Sequence, residues 1–311
     1  MAMRDQLLWV RNRVTQMGVD PGVQHEDMPY LHMWMQMNGA NQRLDQSGDE
    51  SGYKLSSWGG TVGMHLDLTP AWSAGMAFTA GYGDLTAQGA DSLTGDVTMY
   101  YLNLFARTQQ RDWGHAFIVT GGRSDFSTTR NVRFGQDGYE GKGDTNGTSL
   151  GAMYELTYDI FLDEERTSLL QPLFNASFVH TKIDGFEESG AGNAGLNVGS
   201  QDMTTATLAL GARWMGHIGQ NVFGRNAIAE FRLNLAQDMG DRRSSADVAF
   251  LGNRGAVQAV RGASIGSTAI QVGGGINVPV SLQSNIYLDV NADLRSGASS
   301  VSANAGYRYD F

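Results

Sequence analysis

Three stretches of this chain have the spacing of reactive or cofactor-binding motifs. Gly147-Thr148-Ser149-Leu150-Gly151 and Gly262-Ala263-Ser264-Ile265-Gly266 both read G-x-S-x-G. That spacing exposes a nucleophilic serine when it forms a sharp turn from a strand into a helix. Here each copy precedes or opens a strand pattern, so the turn that makes the serine reactive is missing. Gly190-Ala191-Gly192-Asn193-Ala194-Gly195 fits G-x-G-x-x-G. No helix pattern follows it to present an N-terminus to a pyrophosphate, and it reads as a flexible surface loop. The histidines (His25, His32, His65, His115, His180, His217) are scattered without H-x-x-x-H spacing, so a zinc site is not expected. Cysteine is absent, which excludes disulfides, thiolate metal sites and a cysteine nucleophile. The acidic stretch from Asp238 to Asp241 lacks the EF-hand pattern and reads as a solvated loop. No catalytic residue, cofactor or metal is assigned, and the chain is not expected to be an enzyme.

The residues left to explain are charges placed on otherwise regular elements. Residues 3–17 read as a helix, with Leu7, Leu8, Val10, Val14 and Met17 as an apolar stripe and Arg4, Asp5, Arg11 and Arg13 interspersed. Gly18 is its expected stop, and Pro21, Gly22 and Pro29 mark 19–29 as a connector. From Tyr30 onward about twelve strands follow, many long enough to cross a bilayer at a tilt. Val62, Met64, Leu66 and Leu68 alternate with Thr61, Gly63, His65 and Asp67, and Leu150, Ala152, Tyr154 and Leu156 with Gly151, Glu155 and Thr157. Phe231, Leu233 and Leu235 oppose Glu230, Arg232 and Asn234, and Ile286, Leu288, Val290 and Leu294 oppose Tyr287, Asp289, Asn291 and Asp293. Met99–Arg107 and His115–Arg123 carry apolar groups on both faces, which leaves their orientation open.

The second face is small and polar, with isolated charges, unlike the Lys- and Glu-rich outer face of a soluble sandwich. Such a face suits a narrow lumen. Asp67, Glu155, Glu230, Asp289 and Asp293 would line it, with Arg232 and His65, and a helix carrying Arg4, Arg11 and Arg13 would supply their partners. The final strand alternates without a miss from Val301 to Phe311 and ends on an aromatic with nothing left to cover it. Trp58, Trp72 and Trp214, with Tyr82, Trp113, Tyr307, Tyr309 and Phe311, fall near strand ends and read as membrane-interface belts. Short turns near Pro70, Gln109–Asp112, Asp163–Arg166, Ile218–Asn221 and Pro279–Gln283 alternate with longer polar connections near 45–52, 84–95, 124–146, 184–201 and 238–263. One rim is therefore tight and the other looped.

Composition agrees with a barrel. There are 41 glycines against 5 prolines, and the net charge of -10 argues against nucleic acid as a partner. No apolar run approaches the roughly 18 residues of a membrane helix, a test that a β-barrel escapes. Met1-Ala2-Met3-Arg4-Asp5 is not a signal peptide, so an outer-membrane reading expects a longer precursor.

Four motifs resemble the autotransporter β-domain, the translocator of type V secretion. Leu8-Trp9-Val10-Arg11-Asn12-Arg13-Val14, Met17-Gly18 and Met33-Trp34-Met35-Gln36 are similar to that family's linker and first strand. Leu169-Leu170-Gln171-Pro172-Leu173-Phe174 resembles its strand with an early proline, and Leu210-Gly211-Ala212-Arg213 its Leu-Gly-x-Arg pattern. Gly306-Tyr307-Arg308-Tyr309-Asp310-Phe311 resembles its C-terminal close. The resemblance implies an all-β fold: a transmembrane antiparallel up-and-down β-barrel of twelve strands with an N-terminal α-helix inside the lumen. Residues 1–29 would be the linker helix and connector, and 30–311 the translocator barrel. It further implies a monomer in the outer membrane of a Gram-negative bacterium that exports and anchors its own N-terminal passenger. The barrel-assembly machinery would read Tyr307, Tyr309 and Phe311. Asn12 has no Asn neighbour, so self-cleavage at an Asn-Asn pair is not expected. The competing readings are an open pore for small solutes and an adhesin built on the 124–146 and 238–263 loops.

Overall fold

The computed structural model describes residues 2–16, 30–48, 50–88, 92–134, 137–221 and 223–311. The helix α1 spans Ala2–Gln16. The expected stop at Gly18 and the connector 19–29 lie outside the described residues. Twelve long strands follow: β1 Tyr30–Leu44, β2 Gly52–Thr69, β3 Trp72–Gln88, β4 Ser92–Gln110, β5 Trp113–Phe134, β6 Asp137–Tyr158, β7 Ser168–Ile183, β8 Gln201–Gln220, β9 Asn226–Gly240, β10 Thr268–Pro279, β11 Ser284–Arg295 and β12 Ala298–Asp310. Each pairs antiparallel with the next, and β12 returns to β1 from His32 opposite Asp310 to Leu44 opposite Ala298. The chain end is tied into the wall, Phe311 N donating to Leu31 O at 3.0 Å and Asp310 N to Gln283 O at 2.8 Å. In hydrocarbon an open sheet edge leaves backbone groups unsatisfied, and closure removes that edge.

The period-two pattern sorts side chains into a lipid-facing outer row and a largely polar lumen inside. Met37, Trp58, Leu210 and Leu235 stand 60–74% exposed on the outer face, whereas Thr61, His65, Glu155 and Arg232 are buried within. The core of the molecule is therefore its lumen, and α1 fills it. Strands β4 and β5, apolar on both faces in sequence, send Phe105 and Ile118 inward against Leu7, Val10 and Val14 of the helix, with Ala116, Met153 and Trp34 beside them. Tyr100, Leu102 and Leu104 face lipid. The double apolar pattern arises because one face meets acyl chains and the other meets a helix.

The rims differ as expected in length but not in order. The 124–146 segment is no loop: β5 and β6 pair from Trp113–Tyr158 out to Phe134–Asp137. Beyond the bilayer the outer face of this ladder meets water and the inner face meets polar groups of the rim, where Arg130 is buried on Glu188, so Thr128, Thr129, Arg130 and Asn131 hide the alternation that marks a strand. The 84–95 connection likewise shrinks, because β3 and β4 stay paired out to Thr86 and Thr94. The 238–263 and 184–201 segments are not solvated loops either. Ser245–Phe250, Asn253–Arg261, Leu196–Val198 and Phe186–Glu187 form a second, four-stranded sheet on the long-loop rim. The glycine motif at 190–195 lies within that layer as a 3-10 turn, Gly192–Ala194, and Arg130 Nη2 donates to Ala194 O at 3.1 Å. On the opposite rim, a bulge between His217 and Gly219 keeps the chain in the ladder to Gln220, so the expected Ile218–Asn221 turn comes later.

Candidate functional site

The candidate site is the lumen with its helix. On one side α1 is apolar. Met3 packs with Leu55, Val97, Met99 and Tyr101, and Leu7, Val10 and Val14 pack on β4–β6. Gly151 of β6 clears the space for this side, since a β-carbon there would meet Leu7 Cδ1 at 3.2 Å and Met3 Cε at 3.5 Å. Elsewhere in the lumen glycines accept aromatic rings laid flat on the wall. A β-carbon on Gly306 would lie 2.4 Å from Tyr287 Cζ.

The other side of the helix is polar and each contact is specific. Arg4 Nη2 donates to Asp238 Oδ1 at 2.9 Å and to Thr207 Oγ1 at 2.8 Å, and its Nη1 lies 3.9 Å from Asp293. Asp5 accepts from Gln42 Nε2 at 2.6 Å and from Ser300 Oγ at 2.9 Å. Gln6 donates to Thr79 Oγ1 at 2.8 Å. Arg11 Nε lies 3.7 Å from Glu155, which also faces Arg213 Nη1 at 3.6 Å. Asn12 Nδ2 donates to Asn291 Oδ1 at 3.2 Å. The Arg13 guanidinium stands 4.8 Å above the Tyr287 ring.

The residues singled out in the sequence thus fall into three groups. Arg4 with Asp293, and Arg11 with Glu155, meet across the helix–wall contact. Arg232 is held within the wall, bonded to Glu230 and, at 3.2 Å, to Asp289. Asp67 lies at the short-turn rim with His32 Nε2 at 2.8 Å and Ser73 Oγ at 2.5 Å. The linear reading of 238–241 as a solvated loop is overturned at Asp238, while Met239, Gly240 and Asp241 are exposed. Asp238 is 7% exposed and joins Arg4 to Arg295. It continues the inward phase of Glu230, Arg232, Asn234 and Ala236, so extending the period of two by one strand turn finds it. Asp5 carries no comparable signal, because its partners Gln42 and Ser300 are far away in sequence.

The belts are also specific. Trp72, Trp113 and Tyr158 gather at the short-turn rim, Trp113 and Tyr158 being 4.9 Å apart. Tyr309 and Phe311 meet there edge-on at 4.9 Å. Trp214 donates its Nε1–H to Ser168 Oγ at 3.0 Å. Trp58 and Tyr82 pair at 6.3 Å on the other side. Trp58, Tyr82 and Trp214 stand inside their strands rather than at the ends, because the ladders run on beyond the hydrocarbon. Along β3, Trp72 and Tyr82 are separated by ten residues. At a rise of ~3.3 Å and a tilt of ~40° that is about 25 Å of axial height, the thickness of an outer-membrane apolar band.

A closed, lipid-facing barrel with a helix in its lumen agrees with the family that the sequence matches. The Autotransporter beta-domain pattern covers residues 33–293. The chain belongs to the autotransporter β-domain family. Solved autotransporter domains have the same architecture. The translocator domain of NalP from Neisseria meningitidis superposes with a TM-score of 0.74 at 17% identity, covering 100% of this chain and 96% of that one. The beta domain of the Bordetella autotransporter BrkA gives 0.65 at 16% identity over 92% and 100% of the two chains. The transport unit of AIDA-I from Escherichia coli gives 0.63 at 12% identity over 96% and 97%. An uncharacterized protein in a trpE-trpG intergenic region of Pseudomonas putida is 31% identical over 172 residues, 54% of this chain. The autotransporter domain described here spans 28% of the length of that relative. Membership places the chain in the outer membrane of a Gram-negative bacterium as a translocator barrel.

Proposed function

We propose that the barrel exports and then anchors a passenger joined to the N-terminal end of α1, and that α1 stays behind as the plug. The observation that carries this reading is the direction of the helix. Arg4 pairs with Asp238 and Asp293 near the long-loop ends of β9 and β11, whereas Arg13 lies over Tyr287 near the short-turn end of β11. In outer-membrane barrels the short turns face the periplasm. A chain leaving α1 at its N-terminus therefore leaves at the cell surface. The fit of the helix supports plugging. The cavity beside Asp5, Leu8 and Arg232 holds about 10 Å³ and that beside Gln6, Trp9 and Tyr101 about 20 Å³. Each has room for about one water. The role requires no covalent chemistry, and one barrel suffices for it. The barrel-assembly machinery is the expected insertion partner, reading Tyr307, Tyr309 and Phe311.

The plug is tested by planar-bilayer recording of the intact chain and of a chain lacking residues 2–16. The intact protein should be nearly silent and the shortened one should show a large, steady conductance. A large, constant conductance in the intact chain defeats the plug. Export is tested by fusing a signal peptide and an epitope ahead of Met1 and staining whole cells, where an epitope retained in the periplasm counts against the reading.

A further inference from the structure

The inner wall at the short-turn rim carries a cluster that neither export nor plugging uses. His32 of β1 lies directly opposite His65 of β2 and directly opposite Asp310 of β12. Asp67, two residues beyond His65 on the same strand, points to the same face. The imidazole rings of His32 and His65 stack at 4.3 Å with 9° between their planes. His32 Nε2 contacts Asp67 Oδ2 at 2.8 Å, and its Nδ1 contacts Asp310 Oδ1 at 2.6 Å. His65 is 2% exposed, and its Nδ1 is buried with no hydrogen-bond partner among the described residues. One donor atom each from His32, His65 and Asp67 lies within 4.8 Å of the others.

We propose that His32, His65 and Asp67 form a binding site for a divalent transition-metal ion of the zinc or copper type. Two imidazoles and one carboxylate are a borderline donor set with a fourth position left for water. The orientation of each ligand is already held from behind. Asp310 accepts from the far nitrogen of His32, as in a carboxylate–histidine–metal relay, and is itself fixed by Arg308 Nε at 2.9 Å. The second oxygen of Asp67 accepts from Ser73 Oγ at 2.5 Å. A metal at His32 Nε2 replaces the proton shared with Asp67, so binding releases that proton. The 2.8 Å contact widens by a few tenths of an ångström to admit bonds of about 2.0–2.2 Å. His65 must rotate out of its stack to turn a lone pair toward the ion.

The donor set narrows the choice of metal. Two of the three ligand atoms are imidazole nitrogens, which suit Zn²⁺ or Cu²⁺ and disfavour the oxygen-seeking Mg²⁺ and Ca²⁺. The site also bridges β12, β1 and β2 across the closing seam, so an ion there would hold the seam at its periplasmic end.

The test uses the full chain refolded in detergent, without an affinity tag. Zn²⁺ is titrated by calorimetry and Cu²⁺ by electron paramagnetic resonance, with thermal unfolding recorded alongside. One ion per chain should bind, Cu²⁺ should show two imidazole nitrogens, and Zn²⁺ should raise the unfolding temperature. His65→Phe, which keeps a ring in the stack, and Asp67→Asn should abolish all three signals. Asp310→Asn should weaken binding by about 10-fold or more. His115→Ala and His180→Ala should leave it unchanged, and Mg²⁺ should not compete. Failure to saturate, or binding that persists in His65→Phe and Asp67→Asn folded as judged by heat-modifiable gel mobility, overturns the proposal.

Discussion

Glu155 shows what a single buried charge does in this lumen. It is 2% exposed and lies between Arg11 of the helix and Arg213 of the wall at 3.7 and 3.6 Å. These are ion-pair distances without hydrogen bonds to the carboxylate, while Arg213 is held separately by donating from Nε to Gln171 Oε1 at 2.7 Å. Removing one partner of a buried pair leaves the other uncompensated, at a cost on the order of 3 kcal/mol. Glu155→Gln should therefore destabilise the barrel in guanidinium titrations. The double variant Glu155→Gln/Arg11→Gln should recover part of that loss, because it removes one of the two guanidinium charges left facing each other. Arg11→Gln alone completes the cycle, and additive losses across the three variants would show that Arg11 and Glu155 are not coupled. A second residue-scale prediction concerns Gly306, where a side chain would meet both Tyr287 and the Met35 carbonyl oxygen at 2.4 Å. The carbonyl oxygen belongs to the ladder and cannot retreat, so Gly306→Ala should cost about 1–3 kcal/mol in the same titration.

At the scale of elements, α1 is held by shape on one side and by charge on the other. The shape side has Gly151 beneath Leu7 and Met3. Gly151→Phe puts a ring where the helix lies while leaving the β5–β6 ladder its backbone bonds. Its conductance should rise toward that of the chain lacking residues 2–16, with gel mobility still that of a folded barrel. A silent Gly151→Phe barrel would mean that the helix does not close the pore. These elements were unequally legible in the sequence. β12 reads cleanly because lipid covers one face and water or small polar groups the other. β4 and β5 do not, because Phe105 and Ile118 serve the helix from the inner face. The outer halves of β5 and β6 vanish from the pattern once water replaces lipid on one face and polar rim contacts such as Arg130 on Glu188 line the other. Asp238 was misread with its segment, although its phase on β9 was available. The meeting of His32 with His65 could not be found by spacing along the chain, since it depends on the register between two strands.

At the scale of the whole molecule, the outer surface must match a bilayer of fixed height. Between Trp72 and Tyr82 the outward positions of β3 are Ala74, Met76, Phe78 and Ala80, and the first charge in that phase is Asp84. Phe78 lies near the middle of this band and is 46% exposed, whereas Thr86 lies beyond it on the same face. An arginine at the bilayer midplane of an outer-membrane barrel costs about 2–4 kcal/mol, falling to about 0–1 kcal/mol near the interface. Phe78→Arg should lose stability in that larger range when the barrel is unfolded by guanidinium from phospholipid vesicles. Thr86→Arg should lose almost none. Both variants should differ little in a detergent micelle, which deforms around a charge more readily than a bilayer does. Equal losses for the two in vesicles would mean that the hydrocarbon does not sit between the two aromatic belts. The outward row of β3 would then need some other covering.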